Sequence, residues 1–194
     1  MHDIIIGIDP DSSKDGIAIL ETKTRKVTIY ETTFGHTLSI LQKYHTHCLA
    51  THTSLMIYIE GGWLNKGNFH LHPRSSLQKA AAIGVDQGRN HQRGMDIENW
   101  CEYNKLPYLV IKPLAKTSGR LHLWNGPDGK ISQEEIESFM GKLRTTDALG
   151  HIKRINQEGR DAALIAWTMA GFPISVQFGK SKPKHLQTNA PVLR

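Results

Sequence analysis

Four acidic residues stand at positions from which they could act together. Asp9 and Glu60 each end a short apolar run. Glu158 and Asp161 are three positions apart near the start of a helical pattern. Ligand sites in open α/β sheets lie at the carboxyl ends of strands, and residues at i and i+3 share one face of a helix. We therefore expect Asp9 and Glu60 to converge if their strands are parallel neighbours, with the helical pair packed beside them.

Carboxylates gathered in this way would repel one another and raise each other's pKa values, and a hard divalent cation relieves that conflict. Mg²⁺ prefers oxygen ligands, and Mn²⁺ accepts the same ligands. Two ions about 3.5–4 Å apart would activate a water and stabilise the leaving oxygen in phosphodiester hydrolysis. The sequence thus predicts a nuclease site with two Mg²⁺ ions, for which Mn²⁺ would substitute. Its metal ligands and catalytic residues are Asp9, Glu60, Glu158 and Asp161.

Each acid also has a simpler interpretation when it is taken alone. Acids at strand ends often cap turns, and Glu158 and Asp161 would favour the positive end of a helix dipole. The metal site is the better interpretation of the four together, because they occur in this order on these elements.

The elements that would position these acids can be read from apolar periodicity and turn residues. Five strands are predicted at residues 4–9, 16–20, 26–32, 55–60 and 109–111. Helices are predicted at 36–50, at 76–104 with a break near 84–94, from Ser132 onward, and at 156–170. Strands one to three would form an antiparallel meander, and strands four and five would run parallel to strand one. The predicted fold class is therefore α/β, a central mixed five-stranded sheet with helices on both faces.

Composition excludes several classes of protein. The chain has 194 residues, of which 39% are hydrophobic and 22% charged, so a generally disordered chain is excluded. No apolar run approaches the roughly 20 residues that a membrane helix needs, and the N-terminus lacks the basic segment of a signal peptide. The two cysteines, Cys48 and Cys101, have no CxxC spacing, which favours reduced thiols in the core. We expect a cytoplasmic protein with no membrane association.

The formal net charge of +6 favours a polyanionic partner without identifying it. Residues 180–194 contain three lysines, one arginine and no acid. We expect a nuclease domain over residues 1–176 and a basic, mobile tail over 177–194. The tail would add non-specific attraction to phosphate, or it would be a solvated terminus without a role.

At three places the sequence resembles the RuvC family of Holliday-junction resolvases. They are Ile6-Gly-Ile-Asp-Pro10, the strand that ends in Glu60, and Glu158-Gly-Arg-Asp161-Ala-Ala-Leu-Ile-Ala, and the likeness spans about residues 3–172. The resemblance implies an RNase H-like fold and a metal-dependent endonuclease that resolves four-way (Holliday) DNA junctions in recombination and repair. The metal-binding acids of the family map onto the same four residues, with Glu158 where the family uses Asp or His.

The resemblance also implies DNA-contacting residues and a homodimer. The family carries an aromatic residue shortly after its second acid, for which Trp63 and Phe69 are candidates. Stacking on an unpaired base would contribute about 1–3 kcal/mol, although Trp63 could instead be a partly buried packing residue. Cutting two opposed strands requires two active sites, so we expect a symmetric homodimer joined through the helix at 76–104. The basic candidates for DNA contact are Lys66, Lys112, Lys116 and Arg120.

Two departures from the family pattern are visible. Asp11 follows Asp9-Pro10, where the family commonly has glycine, and residues 112–155 match poorly. Other functions therefore remain open. They are an RNase H-like nuclease for another branched or RNA-containing substrate, and a non-catalytic junction-binding relative. A phosphotransferase of the actin-like or sugar-kinase type is less favoured, because such enzymes need two lobes and about twice this length.

Overall fold

A five-stranded sheet with the strand order β3-β2-β1-β4-β5 forms the centre of the protein. The computed structural model describes residues 2–65, 76–115, 117–118, 121–126, 129–146 and 152–174. The elements of the sheet are β1 (Ile4–Asp9), β2 (Asp15–Glu21), β3 (Lys26–Thr32), β4 (Leu55–Glu60) and β5 (Tyr108–Ile111). The helices are α1 (Phe34–Thr51), α2 (Leu77–Tyr103), α3 (Gln133–Met140) and α4 (Gln157–Met169). Two further two-stranded antiparallel sheets pair β6 (Thr117–Ser118) with β7 (Leu121–His122), and β8 (Thr145–Thr146) with β9 (Ile152–Lys153).

Strand direction follows the connections. β1, β2 and β3 are joined by short turns and pair antiparallel. β4 pairs parallel with β1, and β5 pairs parallel with β4, because α1 and α2 provide the crossovers that parallel pairing needs. The predicted meander and the predicted parallel strands are both confirmed.

The two faces of the sheet are covered by different helices. Alternate residues of a strand point to opposite faces, which here form two separate apolar cores. On one face, Ile6 and Ile57 pack with Leu41 of α1 and Ile97 of α2. On the other face, β1, β2 and β3 pack against α4, and Ile136 of α3 belongs to the same apolar core. The predicted α/β class, a mixed five-stranded sheet with helices on both faces, is confirmed.

The boundaries of most elements agree with the periodicity of the sequence. β1, β3 and β4 have the predicted bounds, and Ser132 caps α3 in a capping box with Glu135. The expected break in α2 is wrong, since the helix is continuous over 27 residues in spite of its internal glycines. Cys48 and Cys101 are buried free thiols, as predicted.

Two other expectations concern the C-terminal tail and membrane-spanning helices. The proposed tail at 177–194 lies outside the described residues. None of the helices that the structure describes is both long and apolar enough to cross a membrane.

Candidate active site

Asp9 and Glu60 lie at the same edge of the sheet and on the same face. The register places Ile8 beside Ile59 in the parallel pair β1–β4, so the next residues of the two strands are Asp9 and Glu60. Ile8 and Ile59 belong to the core under α1 and α2. Because strand side chains alternate between the faces, both acids belong to the face that α4 covers.

Close backbone contacts hold the start of α4 against this edge. A Cβ atom on Gly16 of β2 would come within 2.1 Å of the carbonyl oxygen of Glu158. A Cβ on Gly7 of β1 would come within 2.3 Å of the carbonyl oxygen of Ala162. Gly16 is also the register partner of Asp9, so the backbone of Glu158 lies over the strand next to Asp9. The lack of side chains on the two glycines lets the helix approach so closely.

The N-terminus of α4 is fixed by two further hydrogen bonds. The Asn156 side chain accepts a hydrogen bond of 2.8 Å from the backbone N–H of Gly159 and thereby caps the helix. The Asn156 backbone N–H donates to the carboxylate of Glu31 on β3. The first turn of α4, which carries Glu158, is therefore tied to the sheet at its start.

Glu60 and Asp161 line a single cleft at this edge. Its empty space, which opens to solvent, measures about 290 Å³. Both acids are partly exposed. The rest of the lining is apolar and consists of Leu114, Ala115, Trp124, Ile131 and Leu164. Strand β4 and helix α4 thus bring two of the four predicted acids into the same cleft, beside an apolar wall that strengthens electrostatic interactions.

A chain of hydrogen bonds orients the carboxylate of Asp161. The Gln157 side-chain N–H donates to Asp161 Oδ1 over 2.8 Å. The Gln157 carbonyl oxygen accepts from Arg160 Nη2 over 2.7 Å. Arg160 is anchored in turn on two backbone carbonyl oxygens, those of Ile131 and Ile155. Asp161 is thus held by a side chain that is itself fixed.

The donor set fits a hard divalent cation as an open site. Within the described ranges, no group of three or more His, Cys, Asp or Glu side chains is arranged to hold a metal ion. Mg²⁺ is usually bound by one or two carboxylates, with waters and substrate phosphates as its other ligands. Glu60 and Asp161 in one cleft, with Asp9 at the adjacent strand end, satisfy that requirement. A four-carboxylate cage, with Glu158 included, stays a prediction.

The loop that follows Asp9 is organised by two aspartates. Asp11 Oδ1 accepts from the backbone N–H of Ser13 at 2.8 Å and from its hydroxyl at 2.6 Å. Burial alone would raise the pKa of Asp11, but the hydrogen bonds from Ser13, Lys14 and Asn90 outweigh it and lower the pKa. Asp11, which stands where a glycine is expected, therefore shapes this loop through its side chain.

Asp15 anchors the same loop from within the protein. Its carboxylate is fully buried, accepts a hydrogen bond of 2.6 Å from Thr37 and lies 3.6 Å from Arg93 Nε. Burial is the largest influence and raises the pKa of Asp15, against the opposing effects of Thr37, the Asp11 backbone and Arg93. Arg93 also donates to the Ser12 carbonyl oxygen at 3.1 Å, so α2 contacts the loop in its middle and at the start of β2.

Trp63 packs against α2 and is half-buried. A Cβ on Gly94 would come within 2.4 Å of its ring, and its ring centroid is 6.4 Å from that of His91 in an edge-on arrangement. Trp63 follows Glu60 through a short 3-10 turn, Gly62–Leu64. These contacts support the interpretation of Trp63 as a partly buried packing residue. Its stacking on DNA stays a prediction.

The basic candidates are only partly described. Lys112 is exposed and directly follows β5, next to the strand that ends in Glu60. The other basic candidates, Lys66, Lys116 and Arg120, lie outside the described residues, and so does the aromatic candidate Phe69. Their contact with DNA therefore stays a prediction.

Three residues of this site did not emerge from the sequence as functional candidates. Gln157 stands four positions before Asp161, a spacing at which helical side chains meet, so a signal was present. Arg160 contacts Ile131, 29 positions away, and Glu31 contacts Asn156, 125 positions away. No local pattern in the sequence indicates contacts over such separations.

Comparison with known proteins adds only a likeness of overall structure. Neither the protein-family profiles nor the curated proteins gave a match to this sequence. Among solved structures, the chain is similar to T. thermophilus RuvC in complex with a Holliday junction substrate, with a TM-score of 0.44 and 11% sequence identity. The similarity covers 87% of this chain and 93% of that chain. At this identity and TM-score, the function has to be argued from the residues of the site.

Proposed function

We propose that this protein is a divalent-metal-dependent endonuclease of the RuvC type that cuts four-way DNA junctions. The observation that carries the proposal is the cleft shared by Glu60 of β4 and Asp161 of α4. It lies at the carboxyl edge of the parallel strands, where Asp9 ends β1. The sequence resemblance, which rests on the segments around these same residues, supplies the substrate class.

The proposed roles follow from the positions of the acids. Glu60 and Asp161 bind the metal from opposite elements, and Asp9 adds a carboxylate from the strand beside Glu60. Glu158 completes the set from the first turn of α4. The bound metal, Mg²⁺ or Mn²⁺ and two ions per site in our proposal, supplies charge stabilisation and nucleophile activation for phosphodiester hydrolysis.

DNA binding would use groups around the same edge. Lys112 is exposed at the end of β5, and Lys14 is exposed in the loop that follows β1. The net charge of +6 would add long-range attraction to phosphates, with the salt dependence that such attraction implies. Trp63 is the proposed stacking residue because it follows Glu60 by three positions and keeps part of its surface exposed.

A homodimer through α2 is part of the proposal. The first half of this helix exposes apolar side chains: Leu77 is 89% exposed and Val85 is 54% exposed. The buried residues of α2, Gly94, Ile97 and Cys101, all belong to its second half. A second copy covering the first half would remove the exposed apolar surface from water and present two active sites to one junction.

Incubation with labelled DNA tests the proposal. Purified protein is mixed with a four-way junction, with a matched linear duplex or with an RNA–DNA hybrid, in Mg²⁺ or in EDTA. We expect paired nicks on opposed strands of the junction, in Mg²⁺ only. Binding of the junction without cleavage in either condition would indicate a non-catalytic relative. Equal cleavage of an RNA–DNA hybrid or of the duplex would replace the junction as the substrate.

A further inference from the structure

We infer that Gln157 is a positioning residue that presets the Asp161 carboxylate for a divalent cation, an inference that rests on the proposed function. Gln157 is the first residue of α4 and donates to Asp161 Oδ1 over 2.8 Å. Asp161 lines the cleft with Glu60. Outer partners of this kind fix the orientation of a metal-binding carboxylate and raise the affinity of the site.

The direction of this hydrogen bond is fixed by Arg160. A glutamine amide can in principle turn over and present either its oxygen or its nitrogen to a neighbour. A guanidinium has only donors, so the Gln157 atom 2.7 Å from Arg160 Nη2 must be the oxygen. The amide N–H group therefore faces Asp161, as the carboxylate requires.

Arg160 itself has little freedom to move. Its Nε donates to the carbonyl oxygen of Ile131 over 3.0 Å, and its Nη1 donates to that of Ile155 over 2.7 Å. Ile131 is buried and lines the cleft beside Asp161. The relay from Arg160 through Gln157 to Asp161 thus connects the wall of the cleft with one of its carboxylates.

A second glutamine–aspartate pair in the chain offers a matched comparison. Gln92 on α2 donates to Asp96 Oδ1, also over 2.8 Å and at the same i, i+4 spacing. Such pairs stabilise a helix by about 0.2–0.5 kcal/mol wherever they occur. Gln92 is exposed and has no guanidinium partner among its described hydrogen bonds. If Gln157 served only its helix, loss of either glutamine would have the same consequence.

The experiment compares Gln157→Met with Gln92→Met in the full chain. Methionine keeps the length and the helix preference of glutamine but has no N–H to donate. Mn²⁺ binding is titrated by electron paramagnetic resonance without DNA, and thermal unfolding is followed in parallel. We expect Gln157→Met to weaken Mn²⁺ binding about 10-fold or more, Gln92→Met to leave it unchanged, and both variants to unfold near the wild-type temperature.

Asp161→Asn separates this inference from the function on which it rests. If the wild type binds Mn²⁺, Asp161→Asn loses it and Gln157→Met binds as tightly as Gln92→Met, the inference is wrong and the metal site stands. If the wild type binds no Mn²⁺, or Asp161→Asn binds it normally, the proposed metal site falls and the inference with it. A Gln157→Met variant that unfolds well below Gln92→Met would show a structural role and would also overturn the inference.

Discussion

The carbonyl oxygen of Glu158 lies so close to Gly16 that a single added carbon atom on the glycine would come within 2.1 Å of it. This contact sets how near the first turn of α4 comes to β2. Because Gly16 is the register partner of Asp9, the same contact also limits the distance between two of the proposed acids, Asp9 and Glu158. The position of α4 is therefore controlled by a residue that has no functional group of its own.

Gly16→Ala should destabilise the protein and disturb the site. The obstacle is backbone rather than a flexible side chain, so the helix or the strand must shift. We expect a loss of about 1–3 kcal/mol in the free energy of unfolding, as is typical of overpacking, measured by urea denaturation. Gly35→Ala is the control: Gly35 is in the first turn of α1 with open space around it, and alanine there should not destabilise the protein. Equal stability of the two variants would contradict the packing argument.

Removing single charges from the acids should separate catalysis from binding. Asp9→Asn, Glu60→Gln and Asp161→Asn should each lower the rate of junction cleavage about 100-fold or more, because each removes an anionic ligand for the cation. Junction affinity in EDTA should stay near the wild-type value. Glu102→Gln, an exposed change on α2, is the control and should cleave normally. Full activity of the Asp161 variant at ordinary Mg²⁺ would defeat the proposed mechanism.

Asn90→Ala should loosen the loop that follows Asp9. The Asn90 side chain accepts from the Ser12 backbone N–H at 2.9 Å and donates to Asp11 Oδ2 at 3.2 Å. Loss of these two bonds should cost about 1 kcal/mol and speed hydrogen exchange at the Ser12 amide. Asn99→Ala, at an exposed position on the same helix, should change neither quantity. Unchanged exchange at Ser12 in Asn90→Ala would show that Asn90 does not hold the loop.

Asp3 should give the protein part of its sensitivity to acid. The backbone N–H and the hydroxyl of Ser54 donate to this carboxylate at 3.0 and 2.7 Å, and Lys23 lies 3.2 Å away. In that order these contacts lower the pKa of Asp3 from 3.8 to about 2. A carboxyl whose pKa is lower in the folded state than in the unfolded chain stabilises the fold at pH values above its unfolded pKa. This stabilisation is lost as the pH falls through the folded pKa of about 2.

The measurement compares urea midpoints at neutral pH and near pH 2. Asp3→Asn should lower the midpoint at neutral pH and narrow the difference between the two conditions. Ser54→Ala should move the pKa of Asp3, followed by NMR, back toward 3.8. A pKa of Asp3 that does not rise in Ser54→Ala, which keeps the Ser54 backbone N–H, would show that the Ser54 hydroxyl does not lower it.

The fold could be predicted largely because its strands carry local signals. The runs that end in Asp9 and Glu60 are short, β-branched and bounded by turn residues, so their ends were predicted to the residue. The continuity of α2 could not be read locally, since Gly84, Gly88 and Gly94 each weaken a helix. At Gly94 the reason is tertiary, because Trp63 occupies the space that a side chain would fill.

The candidate site could be proposed from the sequence as a set of residue types, whose roles stay a prediction, and less so as a geometry. The acids and their order could be read from the sequence, and so could the sheet edge shared by Asp9 and Glu60. The support around them could not. The bond from the Asn156 backbone to Glu31 and the anchor of Arg160 on Ile131 join distant segments. Such contacts depend on how α4 crosses the sheet, which periodicity does not specify.

The uneven burial of α2 divides this helix into two regions of different persistence. At 1.5 Å per residue, its 27 residues extend for about 40 Å. The buried residues, Gly94, Ile97 and Cys101, all lie in its C-terminal portion. An isolated helix of a dozen residues is only marginally stable in water. The N-terminal portion of α2 should therefore fray by local opening, whereas the C-terminal portion should open only when the whole protein unfolds. If a second copy covers this portion, its amide hydrogen exchange should slow as the protein concentration rises. Exchange rates of single amides would then show which residues self-association protects.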